Sequence, residues 1–141
     1  MKIRHTGIVV CNIDKALHFY NKLLGLKIVK DVWESGSFID NILSLKDVNV
    51  RTVKMDAGGS LIELLYFKSH PTSGLWQNRI TSLGCSHIAL TVDNLENCFN
   101  MLKEENTCFI SEPQTSPDGN AKVAFCRDPD GTFIELVEEL K

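Results

Sequence analysis

Two stretches of this chain are versions of one phrase. "HTGIVVCNIDKALHFY", from His5, aligns with "HIALTVDNLENCFNML", from His87, at an offset of 82 residues. The match pairs the two histidines, Val10 with Val92, Asn12 with Asn94, Ile13 with Leu95, Asp14 with Glu96 and Leu17 with Phe99. Further on, "GSLIELL" around Glu63 aligns with "GTFIELV" around Glu135, now at an offset of 72. Self-similarity at this scale constrains the fold before any local assignment, because each copy must be the same supersecondary unit. The first copy carries ten more residues between its histidine and its glutamate, an insertion expected in a loop.

The local signals agree between the copies. "IRHTGIVV" is rich in β-branched residues and predicts a strand, after which Asn12 offers an N-cap and Asp14 suits the first turn of a helix. Ala16, Leu17, Tyr20, Leu23 and Leu24 then make one apolar face, and Gly25 stands where a helix would stop. In the second copy Leu95, Cys98, Phe99 and Leu102 repeat that face. Strands are predicted for "LKIVKDVW", "VRTVKMDA" and "SLIELLYF" in the first half, and for "TCFISEP", "AKVAFCRD" and "TFIELVEE" in the second. "DAGG" and "DPDG" provide turns ahead of the two glutamate strands. The expected fold class is α+β: two tandem βαβββ modules forming a curved mixed sheet around a metal-binding cleft. The expected organisation is a single domain over 1–141, with module one at 1–67, a linker at 68–84 containing a short helical turn around Trp76, and module two at 85–141. The closing "EELK" is expected to be a frayed, solvated tail.

A chain of 141 residues with 43% hydrophobic content can bury one core. Its net charge of −3, without a basic stripe or a basic amphipathic helix, excludes the usual nucleic-acid and membrane-surface partners. Five scattered cysteines without a CxxC pair fit neither a disulfide framework nor a thiolate zinc site, and are expected to be reduced, mostly buried small hydrophobes. With no apolar run of about 20 residues and no signal-peptide pattern, the expected location is the cytoplasm.

Glu63 is the anomaly in this pattern. It lies among Ile62, Leu64 and Leu65 with no basic residue for several positions on either side along the chain. A carboxylate buried in that setting either neutralises or finds a positive partner. Glu135 repeats the situation, and each glutamate has a matching histidine. Pseudo-twofold symmetry between the copies would gather His5, Glu63, His87 and Glu135 around one point. Two imidazoles and two carboxylates suit one divalent first-row ion, with zinc, nickel, cobalt, manganese and iron equally compatible. His18 and His70 fall outside the repeat and are expected to be solvated. Trp33, Trp76, Phe38 and Phe67 could line a substrate mouth or pack in a core or dimer contact.

With these residues assembled, the chain resembles the vicinal oxygen chelate superfamily, which includes glyoxalase I, methylmalonyl-CoA epimerase, fosfomycin and bleomycin resistance proteins and extradiol dioxygenases. "HTGIVVCNIDKALHFYNKLLGL", "SHIALTVDNLE" and "FCRDPDGTFIELVEE" carry the resemblance most specifically. It implies paired βαβββ modules, commonly a homodimer, and a metal at His5, Glu63, His87 and Glu135. A glutamate at the position of Glu63 is similar to glyoxalase I, epimerases having Gln or Glu there. The activity implied is that of a metal-dependent lyase or isomerase, in which the metal polarises a carbonyl and holds the enediolate formed by proton removal. Glu63 and Glu135 are the candidate proton carriers. The implied substrate is a small molecule of the thiohemiacetal or acyl-thioester class.

The chain also departs from these relatives. Glutathione-using bacterial glyoxalases carry an Arg where this chain has Val9 and an Asn where it has Phe67, and Val cannot supply the carboxylate fork of an Arg. The doubled "HH" of epimerases is here Ser86 and His87. The alternative readings are an extradiol-type dioxygenase and a non-catalytic binding protein of the bleomycin-resistance type, the latter having no need of a complete ligand set.

Overall fold

The computed structural model describes residues 1–74 and 77–141, so Trp76 and the turn expected around it lie outside the described residues. The chain divides into two compact units, Met1–Gly74 and Leu75–Lys141. The first contains β1 (Thr6–Val9), α1 (Ile13–Leu17), β2 (Lys27–Ser35), α2 (Ser37–Leu43), β3 (Asn49–Asp56) and β4 (Leu61–Phe67). Its sheet has the order β1-β4-β3-β2, with β1 parallel to β4 and the remaining pairs antiparallel. The second contains β5 (Ile88–Thr91), α3 (Leu95–Glu104), β6 (Cys108–Phe109), β7 (Gln114–Thr115), β8 (Ala121–Arg127) and β9 (Phe133–Glu139). Its sheet repeats the plan as β5-β9-β8-β6, with β5 parallel to β9 and β7 also paired to β8. Both units are thus mixed-sheet βαβββ modules within the α+β class.

The paired asparagines act as the repeat predicts. Asn12 Oδ1 accepts from the Lys15 N–H at 3.0 Å and Asn94 Oδ1 from the Asn97 N–H at 2.8 Å, each satisfying a donor that a helix start would otherwise leave unpaired. The helices then diverge. α1 widens into a π-helical stretch over His18–Leu23, in which the Leu24 N–H donates to the Phe19 carbonyl at 3.0 Å. The wider turn rotates the buried face, so Phe19 and Tyr20 are buried whereas Leu17, Leu23 and Leu24 are only half-buried. Gly25 ends the helix at φ 74°, a left-handed conformation that costs glycine little.

The insertion in the first copy is a helix and a longer hairpin rather than a loop. β2 has 9 residues where its counterpart β6 has 2, and α2 follows it. The segment "SFIDNIL" places Phe38 and Ile39 four positions before Ile42 and Leu43, so it can turn one apolar side inward. Ile39 does so, packing with Val48 and Val50 and against Leu65 and Phe67. The Asp40 carboxylate accepts from the backbone of Asp47 and Val48 at 3.1 and 2.8 Å, which fixes the return to β3. The C-terminal tail also differs from expectation. β9 runs to Glu139, and Glu138 Oε2 accepts from the Leu95 N–H at 2.8 Å, adding an anion at the start of α3.

Strand alternation sorts the first sheet into two faces. Val53, Met55, Ile62 and Leu64 are fully or almost fully buried on the face that α1 covers. Glu63 lies on the other face, in a row that crosses the sheet through Gly7 on β1, Glu63 on β4, Lys54 on β3 and Lys30 on β2. In the second unit the corresponding row runs through Ala89, Glu135 and Phe125. Ile110 lies next to Phe125 and donates its N–H to the Phe125 carbonyl at 2.9 Å.

Candidate metal and proton-transfer site

Each unit brings its own histidine to its own glutamate. His5 stands one residue before β1 and His87 one residue before β5, at matching ends of parallel strand pairs. His5 Nε2 is 3.0 Å from Glu63 Oε2, and His87 Nε2 is 3.0 Å from Glu135 Oε2. Four side chains chosen by a sequence repeat therefore form two equal pairs. Among the described residues, no group of three or more His, Cys, Asp or Glu side chains is gathered to hold a metal; each unit supplies two donors.

Glu63 has a second partner that the linear sequence hides. It is 8% exposed, and Lys54 Nζ lies 3.3 Å from its other oxygen, Oε1. Lys54 is nine positions away along the chain but opposite Glu63 in the β3–β4 register. The position opposite Glu135 is Phe125, whose ring packs edge-on against the His87 imidazole at 5.1 Å. Adding the glutamate offset of 72 to Lys54 leads to Cys126 rather than Phe125. The β8–β9 turn is one residue longer than the β3–β4 turn, and that shifts the alignment.

The histidines are supported differently as well. Ser86 Oγ has one hydrogen and donates it to the Ile80 carbonyl at 2.9 Å. Toward His87 Nδ1, 3.1 Å away, it can only accept, so Nδ1 carries a proton. His87 Nε2 meets Glu135 Oε2 at 3.0 Å. In the first unit the residue before the histidine is Arg4, without a hydroxyl. His5 Nδ1 is buried and meets no partner among the described residues.

These observations fit a divalent ion. Imidazole nitrogen and carboxylate oxygen are suitable donors, and a ligating histidine characteristically donates from its other nitrogen as His87 does. The other candidates stand apart from the pairs. His18 is exposed, and His70 is half-buried with Nδ1 2.8 Å from Ser69 Oγ. Phe67 packs in the Ile39 cluster, Trp33 is half exposed with its ring edge-on to Tyr66 at 6.3 Å, and Phe38 is exposed. Val9 is an exposed aliphatic on β1. None of the five cysteines forms a disulfide, but Cys85 and Cys108 are exposed, contrary to the expectation of burial. Cys126 is fully buried, and burial pushes its thiol up to about 12. No helix among the described residues is long and apolar enough to cross a membrane.

A duplicated βαβββ fold with a His–Glu pair at the same place in each copy defines a class of protein by its architecture and donor chemistry. The chain belongs to the Glyoxalase/Bleomycin resistance protein/Dioxygenase superfamily, which matches residues 2–136. It is 31% identical over 146 residues to lactoylglutathione lyase of Schizosaccharomyces pombe, covering 98% of this chain and 47% of that protein, so it spans about half of that relative. It is 29% identical over 141 residues to lactoylglutathione lyase of Escherichia coli O157:H7, covering 99% of this chain and 93% of that protein. Relatives of this kind make the chain a glyoxalase-type enzyme. Among solved structures, a glyoxalase family protein from Bacillus cereus superposes with a TM-score of 0.90 at 23% identity, covering 100% of this chain and 95% of that one. The trypanothione-dependent glyoxalase I of Leishmania major superposes at 0.70 with 22% identity, covering 99% and 87%. At these identities the two structures bear on the fold alone.

Proposed function

We propose that this protein is a metal-dependent lyase or isomerase that moves a proton next to a carbonyl, with His5, Glu63, His87 and Glu135 holding one divalent ion. The observation that carries the reading is the repetition of the 3.0 Å His–Glu pair at equivalent strand ends in both units. When bound, the ion would polarise the substrate carbonyl and acidify the adjacent C–H. The protein groups do the remaining work. Glu63 and Glu135 are the carboxylates able to accept the proton and return it to a neighbouring carbon, and Ser86 holds the His87 ring in one orientation. Phe125 keeps one side of that ring apolar.

The substrate class follows the curated relatives: a small thiohemiacetal, with an acyl-thioester as the epimerase-type variant. Val9 leaves the first strand without the Arg fork that would clamp the carboxylates of glutathione, so a thiol other than glutathione is the natural partner. Cysteines without a disulfide fit a reducing, cytoplasmic setting, and a homodimer is the expected assembly. The test is metal analysis after reconstitution, combined with turnover of methylglyoxal hemithioacetals made from several thiols and of methylmalonyl-CoA. One ion per chain and turnover of one of these classes is the expected result. A protein that retains no stoichiometric metal, or whose only activity consumes oxygen on catechols, overturns the reading.

A further inference from the structure

We propose that Lys54 is a positioning residue that acts as a tethered cation against Glu63, holding Oε1 and opposing a metal ion that approaches Oε2. This rests on the metal reading above and extends it to a residue outside the four donors. The two oxygens of Glu63 have different partners: Oε2 faces His5 at 3.0 Å and Oε1 faces Lys54 at 3.3 Å. The β3–β4 register fixes the encounter, because Lys54 and Glu63 are directly opposed and their side chains rise from the same face. The pair is poorly solvated, with the lysine and glutamate side chains 22% and 11% exposed, so the contact is less screened than a surface ion pair.

Two consequences follow for a cation that binds through His5 and Glu63. With Oε1 facing Lys54, Glu63 would offer a bound cation its other oxygen alone. The ammonium also remains a like charge close to the incoming ion, so the first unit binds metal more weakly than its donors alone would. Lys30, directly across from Lys54 on β2, adds a second positive side chain to the same row. The second unit has neither feature: Phe125 is opposite Glu135, and among the described residues Glu135 is paired with His87 alone. Lys54 therefore makes the two glutamates unequal although their histidine contacts are equal in length.

The experiment uses the full chain and cobalt(II), followed by calorimetry and by the visible absorption of the bound ion. Lys54→Met, which keeps the side-chain length and removes the charge, is compared with Lys54→Arg and with the unsubstituted protein. Removing a like charge that faces the same carboxylate as the ion is expected to tighten cobalt binding about tenfold or more. The cobalt spectrum is expected to change as Glu63 becomes free to offer both oxygens. Lys54→Arg should keep the original affinity and spectrum. If Lys54→Met is poorly folded by circular dichroism, Lys54→Gln takes its place. Unchanged or weaker cobalt binding in the charge-removing variant overturns the role of Lys54 and leaves the metal reading standing. Absence of stoichiometric cobalt from the unsubstituted protein overturns the metal reading, and the role of Lys54 with it.

Discussion

The two modules carry the same pair of reactive side chains in different surroundings. In the first, Glu63 lies in a row with Lys54 and Lys30, and the Nδ1 of His5 is buried without a partner among the described residues. In the second, Glu135 lies beside Phe125, and His87 is held through Ser86 to the Ile80 carbonyl. One unit surrounds its carboxylate with charge, while the other orients its imidazole and keeps the neighbourhood apolar. The repeat preserves the histidines and glutamates, and differences in the residue opposite each glutamate and in the residue preceding each histidine change what surrounds each pair.

The largest expected effect comes from the second unit. Glu135→Gln should lower kcat by about 10²–10⁴-fold while a substrate analogue still binds, as measured by steady-state kinetics and calorimetry. Undiminished turnover would remove the reason to treat Glu135 as a chemical group. Next, Ser86→Ala takes away the acceptor that fixes the His87 Nδ1 proton and should weaken metal affinity about 10–100-fold, with Ser86→Thr restoring it. The corresponding change in the first unit, Arg4→Ala, should leave affinity nearly untouched; equal losses in both variants would erase the difference in imidazole support. Smaller still, Asn12→Ala and Asn94→Ala each remove an N-cap and should cost about 1 kcal/mol in denaturant unfolding. The loss at Asn94 should be the lesser one, because Glu138 also accepts at the start of α3.

The last prediction concerns alkaline pH. The Cys126 thiol is raised from 9.0 to about 12 by burial and by the nearby Cys98, Asp128 and Cys108. The unfolded chain releases this proton near its ordinary value, while the folded chain holds it. The associated stability is therefore present below about pH 9 and is lost as pH rises toward 12. Urea unfolding of Cys126→Ala against the parent over that range should show a shallower alkaline decline in the variant.

The modular plan was legible because it rests on local chemistry repeated at a fixed distance. Asn12 and Asn94 cap their helices, and "DAGG" and "DPDG" turn ahead of β4 and β9. Other features were hidden because they depend on what comes to lie opposite a given position. The insertion was expected as a loop, but Ile39 found a buried place against Val48 and Val50 and formed a helix. Glu138, expected in a frayed tail, is held by a backbone N–H 43 residues earlier in the chain. The apolar face of α1 was misjudged at Leu17 and Phe19 because the helix widens after Leu17, beyond what a 3.6-residue period anticipates.

By itself, then, the sequence determined the repeat, the class of fold and the His and Glu residues that recur at matching places in the two copies, since each of these is written in residue identity and spacing. Only the tertiary structure decided which charges those donors meet. Glu63 lacks a basic neighbour along the chain and has one 3.3 Å away across a hairpin. The same hairpin in the second unit, with one more residue in its turn, brings Phe125 to Glu135. Strand register depends on turn length, so the extra turn residue places Phe125 rather than Cys126 opposite Glu135, and residue identity on β3 places an ammonium opposite Glu63.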